Sequence, residues 1–353
     1  MSKSPAQFLS QTILAAIFAV LGSSSLPAQY GNNPQENQRS QQQGSENYVV
    51  PVDQQRRQAM QKAAEQAFQR QEIQQPKMPA GFPLSTDHQQ YVEKLLDHWE
   101  ARSQQIEKFK CNFRRFEYDN GIVGWRDHNQ RLAAHQIAFG EIRFAAPDRA
   151  RYETATVMKF TRPPAQPGAQ ADYRRLEEEA DFREQWICDG KAIYEFDYAN
   201  SVLNETLIPP NMQGNMAESP LPFLFGVNKQ KVLDRYWVGV VTPRGVENEY
   251  WLVAHPKRVE DSRMYSKVEI ILAVEDFLPK ALHMYSPQYD PAKGNEESYY
   301  FAFEDREVNS QLTKLQDFFG MFVKPRLPRN WRKVVHNPNQ TARVGTQPPS
   351  ANR

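Results

Sequence analysis

Among 353 residues there are two cysteines, Cys111 and Cys188, and seven histidines: His88, His98, His128, His135, His255, His283 and His336. None stands in H-E-x-x-H, and no Cys/His group has zinc spacing. The chain has no P-loop, no G-x-G-x-x-G and no G-x-S-x-G elbow, which removes the motif-borne nucleotide, dinucleotide and hydrolase readings. No metal and no cofactor is expected. His135 and His283 fall within or beside strand-like stretches, where a hydrogen-bonded structural role is expected. The carboxylate pairs Glu260-Asp261 and Glu296-Glu297 sit in turn-like stretches and are expected to be solvated. No residue reads as catalytic. Charge is equally uncommitted: 43 basic against 42 acidic residues give a net +1. That is no long-range field for nucleic acid or an anionic membrane. The basic cluster at 326–333 is local and reads as solvated surface.

Long apolar runs are also scarce, apart from residues 8–21. This run follows a small positive start at Lys3 and precedes Leu26-Pro27-Ala28, a plausible cleavage site before Gln29. It is short for a membrane span and is interrupted by Ser10, Gln11 and Thr12, so residues 1–28 read as a cleaved secretory leader. No cysteine lies near that site, so the chain is not expected to be a lipoprotein. Residues 29–83 are rich in Gln, Asn, Ser and Arg, and too poor in large apolar side chains to offset the entropy of ordering them. They read as a disordered tether, and residues 336–353 as a similar tail. The expected folded part is 84–335, exported or periplasmic, monomeric, with no integral span in the mature chain.

Within that part the hydrophobic period identifies the elements. Thr86 and Gln89 form a T-x-x-Q capping box. Val92, Leu95, Leu96 and Trp99 then recur at i, i+3, i+4 and i+7, predicting an amphipathic helix that ends near Lys108. From Phe109 the period becomes two. Strand signals follow at 136–145, 149–160, 185–189, 192–198, 235–241, 249–254, 266–273, 280–286 and 297–304. Two tight reversals are explicit, at Ala146-Pro147-Asp148 and at Asp189-Gly190-Lys191. A polar loop is expected at 163–182, and shorter helices at 220–234 and 311–322. The pattern is an antiparallel meander. Cys111 and Cys188 would then lie three strand spacings apart, roughly 14 Å, beyond the roughly 7 Å a disulfide spans.

Aromatic residues make up 12% of the chain, and many occupy alternate strand positions. A broad sheet with an aromatic face must be covered, either by curling on itself or by sharing a cavity with an apolar ligand.

The segments FKCNF (109–113), GEIRFAAP (140–147), CDGKAIYEFDY (188–198), PLPFLFG (220–226) and VEIILAVEDFLPKALHMY (268–285) follow one another in an order and spacing that resembles the LolA family of periplasmic lipoprotein carriers. The chain is similar in particular to exported LolA-like proteins of planctomycetes. The resemblance implies an open, unclosed half-barrel of about ten or eleven antiparallel strands with helices over the concave face. It also implies a binding role toward acyl chains of lipid or lipoprotein, with envelope proteins as further partners. Where the carriers have an arginine that latches the lid, this chain has Ala146; Tyr152 stands for their tryptophan on the next strand. The expected ligand wall is Phe113, Ile142, Phe144, Tyr152, Tyr194, Phe196, Trp251 and Phe301. The competing class is a protein-interaction scaffold with a filled core, and an enzyme comes third.

Overall fold

The computed structural model describes residues 75–127, 129–163, 171–210, 213–214, 223–224, 227–310 and 320–337. The leader, most of the tether, the tail beyond 337 and most of the helix expected at 311–322 lie outside them.

Helix α1 (Thr86–Gln104) buries Val92, Leu95, Leu96 and Trp99, the predicted stripe, and adds Ser103 one turn further on. Its cap is Ser85, not Thr86. Ser85 is extended (φ −62°, ψ 156°) and its side chain accepts from the His88 amide, while the Gln89 side chain turns forward to Glu93. Serine is the somewhat better N-cap of the two adjacent candidates, and here it takes the position. The helix also stops before Lys108, because Asn309 (φ 52°) takes over the backbone there. Its side-chain oxygen accepts from the Glu107 and Lys108 amides, and its side-chain nitrogen donates to the Gln105 carbonyl.

Thirteen strands form one open sheet: β1 (Lys108–Tyr118), β2 (Gln136–Ala145), β3 (Arg149–Arg162), β4 (Asp172–Arg175), β5 (Gln185–Asp189), β6 (Ala192–Asp197), β7 (Val202–Leu207), β8 (Tyr236–Val240), β9 (Glu249–Pro256), β10 (Lys267–Ala273), β11 (Pro279–Tyr285), β12 (Ser298–Val308) and β13 (Arg332–His336). Their order is β13-β7-β6-β5-β3-β2-β1-β12-β11-β10-β9-β8, with β4 on the side of β3. All pairs are antiparallel except β13 with β7. The sheet is unclosed, with short helices α2 (Glu179–Phe182), α3 (Lys229–Arg235) and α4 (Val259–Ser262) beside it.

Both predicted hairpins form, β2–β3 and β5–β6. Gly190 supplies φ +86° at the second, and Asp189 accepts from the Lys191 and Ala192 amides. The single meander is corrected to two. The chain runs from the centre outward to β7, crosses to the far edge, and returns inward from β8 to β12, which pairs with β1. The expected loop at 163–182 contains β4 and α2, and in the described part of the helix expected at 220–234, α3 begins at Lys229 after its cap Asn228. Strands β4, β7 and β13 were not expected. All three are short; β4 and β7 pair back onto the nearby β3 and β6, and only β13 finds its partner, β7, far away in the sequence.

One apolar cluster fills the face under α1. It unites Val92, Leu96 and Trp99 with Phe109, Cys111 and Phe113 of β1, Ile142 and Phe144 of β2, and Phe301 and Phe303 of β12. Gly140 makes one contact possible. Phe113 pairs across from it, lies over it, and stacks on Tyr152 at 4.7 Å. A Cβ on Gly140 would meet the Glu153 carbonyl oxygen at 2.1 Å and the Phe113 ring at 2.5 Å. Gly140→Ala is therefore expected to lower stability by about 1–3 kcal/mol. Gly320→Ala, with nothing within 4 Å, should leave the urea midpoint nearly unchanged.

Cys111 and Cys188 join this cluster as free, buried thiols, on strands separated by β2 and β3. Burial raises both pKa values, that of Cys188 to about 12. Neither thiol should react with iodoacetamide in the native protein, and both should react in denaturant. Mass spectrometry without reduction reads this directly, and an intact bridge would refute the strand order.

Candidate functional site

The chain entering α1 passes around the free edge of the sheet at β8. Phe82 lies against Gly239, whose missing Cβ would stand 3.4 Å from the ring, and meets His255 edge-on at 6.2 Å. Leu84 has crossed to the other side and packs on the main core. Between this segment, the first turns of α1 and the strand edge is a groove of about 510 Å³. Its walls are Phe82, Leu84, Tyr91, Val92, Val240, Val241 and Val253, and its polar groups are His88, His255, Lys267 and Glu269. Tyr91 and Val241, at 46% and 45% exposure, form an open apolar rim.

The polar end is electrically quiet. Lys267 Nζ is 2.6 Å from Glu269 and 4.0 Å from the centre of the Tyr285 ring, and Tyr285 donates to the same carboxylate at 2.9 Å. Burial and, secondarily, Lys267 lower the His255 pKa, which favours neutral imidazole. This arrangement can receive an apolar chain and offers weak polar contacts at one end.

The eight predicted wall residues divide between the two faces. Phe113, Ile142, Phe144, Tyr152 and Phe301 share the cluster under α1. Tyr194 and Phe196 belong to a separate cluster on the opposite face with Ile187, Leu203 and Trp331. Trp251 also faces away from the main cluster, into which its neighbour Leu252 points, and donates to Glu249. Five of the eight thus share one face of the sheet, and three lie on the other. The parity within each strand was right, but which parity meets α1 on a given strand is decided by register and by the bends between strands.

None of the eight lines the groove. Its nearest signals in sequence were Gly81-Phe82, within the expected tether, and Tyr91, an aromatic off the buried stripe of α1.

Where the interior turns polar, Arg115 (1% exposed) donates to Glu117, Tyr152 and both oxygens of Glu184, at 2.6–3.0 Å. Gln136 donates to Glu117, and His135 lies 3.5 Å from it. Burial alone would raise the Glu117 pKa, but Arg115 and His135 outweigh it and lower it to about 2. Two carboxylates expected to be solvated are not. Asp261 is buried in a two-point pair with Arg235 at 2.5 and 3.1 Å, and Glu297 is partly buried, which raises its pKa. His135 and His283 each keep one buried ring nitrogen without a partner, so neither is the fully bonded histidine expected. Among the described residues no group of three or more His, Cys, Asp or Glu could hold a metal ion. No described helix is long and apolar enough to cross a membrane.

No family model matches the sequence, and no curated protein does. Solved structures do. An uncharacterized conserved protein from Thermus thermophilus is 10% identical, over 70% of this chain and 99% of that one, with a TM-score of 0.34. A LolA superfamily protein from Nitrosomonas europaea is 11% identical over 66% and 97%, with a TM-score of 0.28. The MucA/MucB complex of Pseudomonas aeruginosa is 12% identical over 65% of this chain and 60% of that one, with a TM-score of 0.31.

The buried titrating groups set an acid limit. His283 is held neutral by burial, its pKa lowered from 6.5 to about 4. The unfolded chain therefore takes up a proton that the fold refuses, and stability falls as pH drops from 6.5 to 4. Glu117 acts in a lower window: its contribution is complete above 4.5 and is lost as pH falls toward 2. In urea titrations against pH, His283→Phe should flatten the upper limb. Glu117→Gln should flatten the lower one, at a cost of about 3–5 kcal/mol at neutral pH for breaking a buried pair.

Proposed function

We propose that the protein is an exported, non-enzymatic carrier of LolA-like type, similar to such proteins of planctomycetes, that holds the acyl chains of a lipid or lipoprotein. In this reading residues 1–28 are a leader, 29–83 mainly a tether, 84–335 the binding domain and 336–353 a tail, in the periplasm or otherwise outside the cytoplasm. The observation that carries it is the groove beside β8. Its volume of about 510 Å³ falls in the range of ligand pockets, about 300–1,000 Å³. Its walls are apolar, its polar end is neutralised, and its rim is open. An acyl chain needs no more, since each methylene removed from water contributes about 0.8 kcal/mol.

Of the expected wall, Phe113, Ile142, Phe144, Tyr152 and Phe301 lie together in the apolar cluster under α1 and are retained in this reading. Tyr194, Phe196 and Trp251 are not.

A second reading, a protein-interaction scaffold with no lipid cargo, is favoured by the tight closure of the face under α1. There Phe113, Tyr152 and Phe301 are already covered by their own chain.

One experiment separates the two. Protein purified from its own envelope should carry a co-purifying lipid in native mass spectrometry, and after delipidation should bind a fluorescent fatty acid. Tyr91→Asp combined with Val241→Asp, both at exposed positions, should weaken that binding at least tenfold without moving the melting temperature. An empty protein that fails to take up the probe leaves the scaffold reading standing.

A further inference from the structure

Residues 320–337 return to the sheet as a strap that ends in β13. They carry Lys324, Arg326, Arg329, Arg332 and Lys333 and no Asp or Glu. The side of the strap toward the sheet is firmly seated. Phe322 is buried against Ala145, Trp331 packs edge-on to Tyr198 at 5.3 Å and to Phe196 at 6.0 Å, and Met321 meets Arg143. Lys324 and Lys333 both pair with the buried Glu205. Pro325 and Pro328 restrict the backbone between these anchors.

The outer side has a different composition. Arg326 and Arg329 are exposed, and no ion pair engages either of them among the described residues, whereas Arg332 alternates to the opposite face of β13 from Lys333 and Val335. Interleaved with them are Val323, Leu327 and Val335, exposed by 59%, 45% and 52%. Seven large hydrophobic residues are exposed in the described structure, and these are three of them. A solvated surface would account for the arginines alone. Exposed aliphatic side chains set between free guanidiniums on an anchored backbone match a layer that is anionic at its surface and apolar just beneath it.

We infer that this strap docks the protein onto a bilayer bearing anionic phospholipid. The guanidiniums of Arg326 and Arg329 meet headgroup phosphates, and Val323, Leu327 and Val335 enter the boundary between headgroups and acyl chains. The whole-chain charge of +1 provides no long-range steering, so the attraction is local and weakens with salt. This surface stands independently of the acyl-chain groove, since it rests on different residues.

The test is co-sedimentation of the full chain with vesicles of phosphatidylcholine alone, or with about one-third phosphatidylglycerol, where each basic residue near an anionic surface changes partition about fivefold. Binding is expected to the anionic vesicles only and to fall as salt rises. The double variant Arg326→Gln, Arg329→Gln should lose about twenty-five-fold in partition. Leu327→Ser with Val323→Ser should lose the part of the binding that persists at high salt. Neutralising two exposed basic residues elsewhere (Lys94 and Arg244) should change little. Fatty-acid uptake by the double variant should be unchanged, which keeps failure of this surface distinct from failure of the groove. Equal binding to neutral vesicles, or undiminished binding by the double variant, overturns the proposal. So does binding to an acidic protein with none to vesicles, since the arginines would then serve a protein partner.

Discussion

The contact on which the rest of the structure depends is the stripe of α1 pressed onto one face of an open sheet, near its β8 end. Thirteen strands that do not close leave a broad apolar face, and a face of that breadth is stable in water only when covered. Val92, Leu95, Leu96 and Trp99 join the apolar cluster on that face and help to cover it. Each such side chain contributes about 1.5–3 kcal/mol by leaving water. Polar ties then fix where the helix lies. Ser103 accepts from the Val227 amide, Glu100 accepts from Asn228 and from the Lys229 amide, Asp97 pairs with Lys229, and Arg102 donates to the Asp276 carbonyl. The helix is thus bound on its underside by area and along its flank by specific bonds.

The groove is a by-product of the same arrangement. Because the chain reaches the far edge before returning inward, β8 has a strand on one side only, and the segment entering α1 wraps its exposed side. Phe82 and Leu84 end up on opposite sides of one strand, and the space between them and the helix is not filled from within. At the other extreme of the interior, Arg115 and its carboxylates end the apolar region with buried charge. Taking those charges from water is expensive, and only a fully satisfied guanidinium keeps the cost tolerable. Arg115 meets that condition through Glu117, Glu184 and Tyr152.

Much of the fold was legible because it is local. The stripe of α1, the two hairpins and most of the later strand segments follow from periods of 3.6 and 2 and from turn residues such as Gly190. The site was far less legible. Phe113, Ile142, Phe144, Tyr152 and Phe301 share one face, but Tyr194, Phe196 and Trp251 have the same alternating pattern and lie on the other. Alternation says that neighbours in a strand face opposite ways, and it does not say which way is inward. Asp261 and Glu297 were misjudged for a related reason. Their burial comes from Arg235 and from neighbours distant in sequence.

The sequence by itself determined the class of the molecule: an antiparallel sheet rich in aromatic side chains, one amphipathic helix before it, two thiols too far apart to bond, and no assembled catalytic or metal motif. These depend on side-chain periodicity and on distances along strands, both of which are written residue by residue. Tertiary structure alone decided the two-meander order, the parallel docking of β13 on β7 and the groove at the edge of β8. Each of these joins segments far apart in the chain, where closing the intervening loop costs entropy that only the final contacts repay. At that separation the outcome is set by which surfaces must be covered, and no local pattern encodes it.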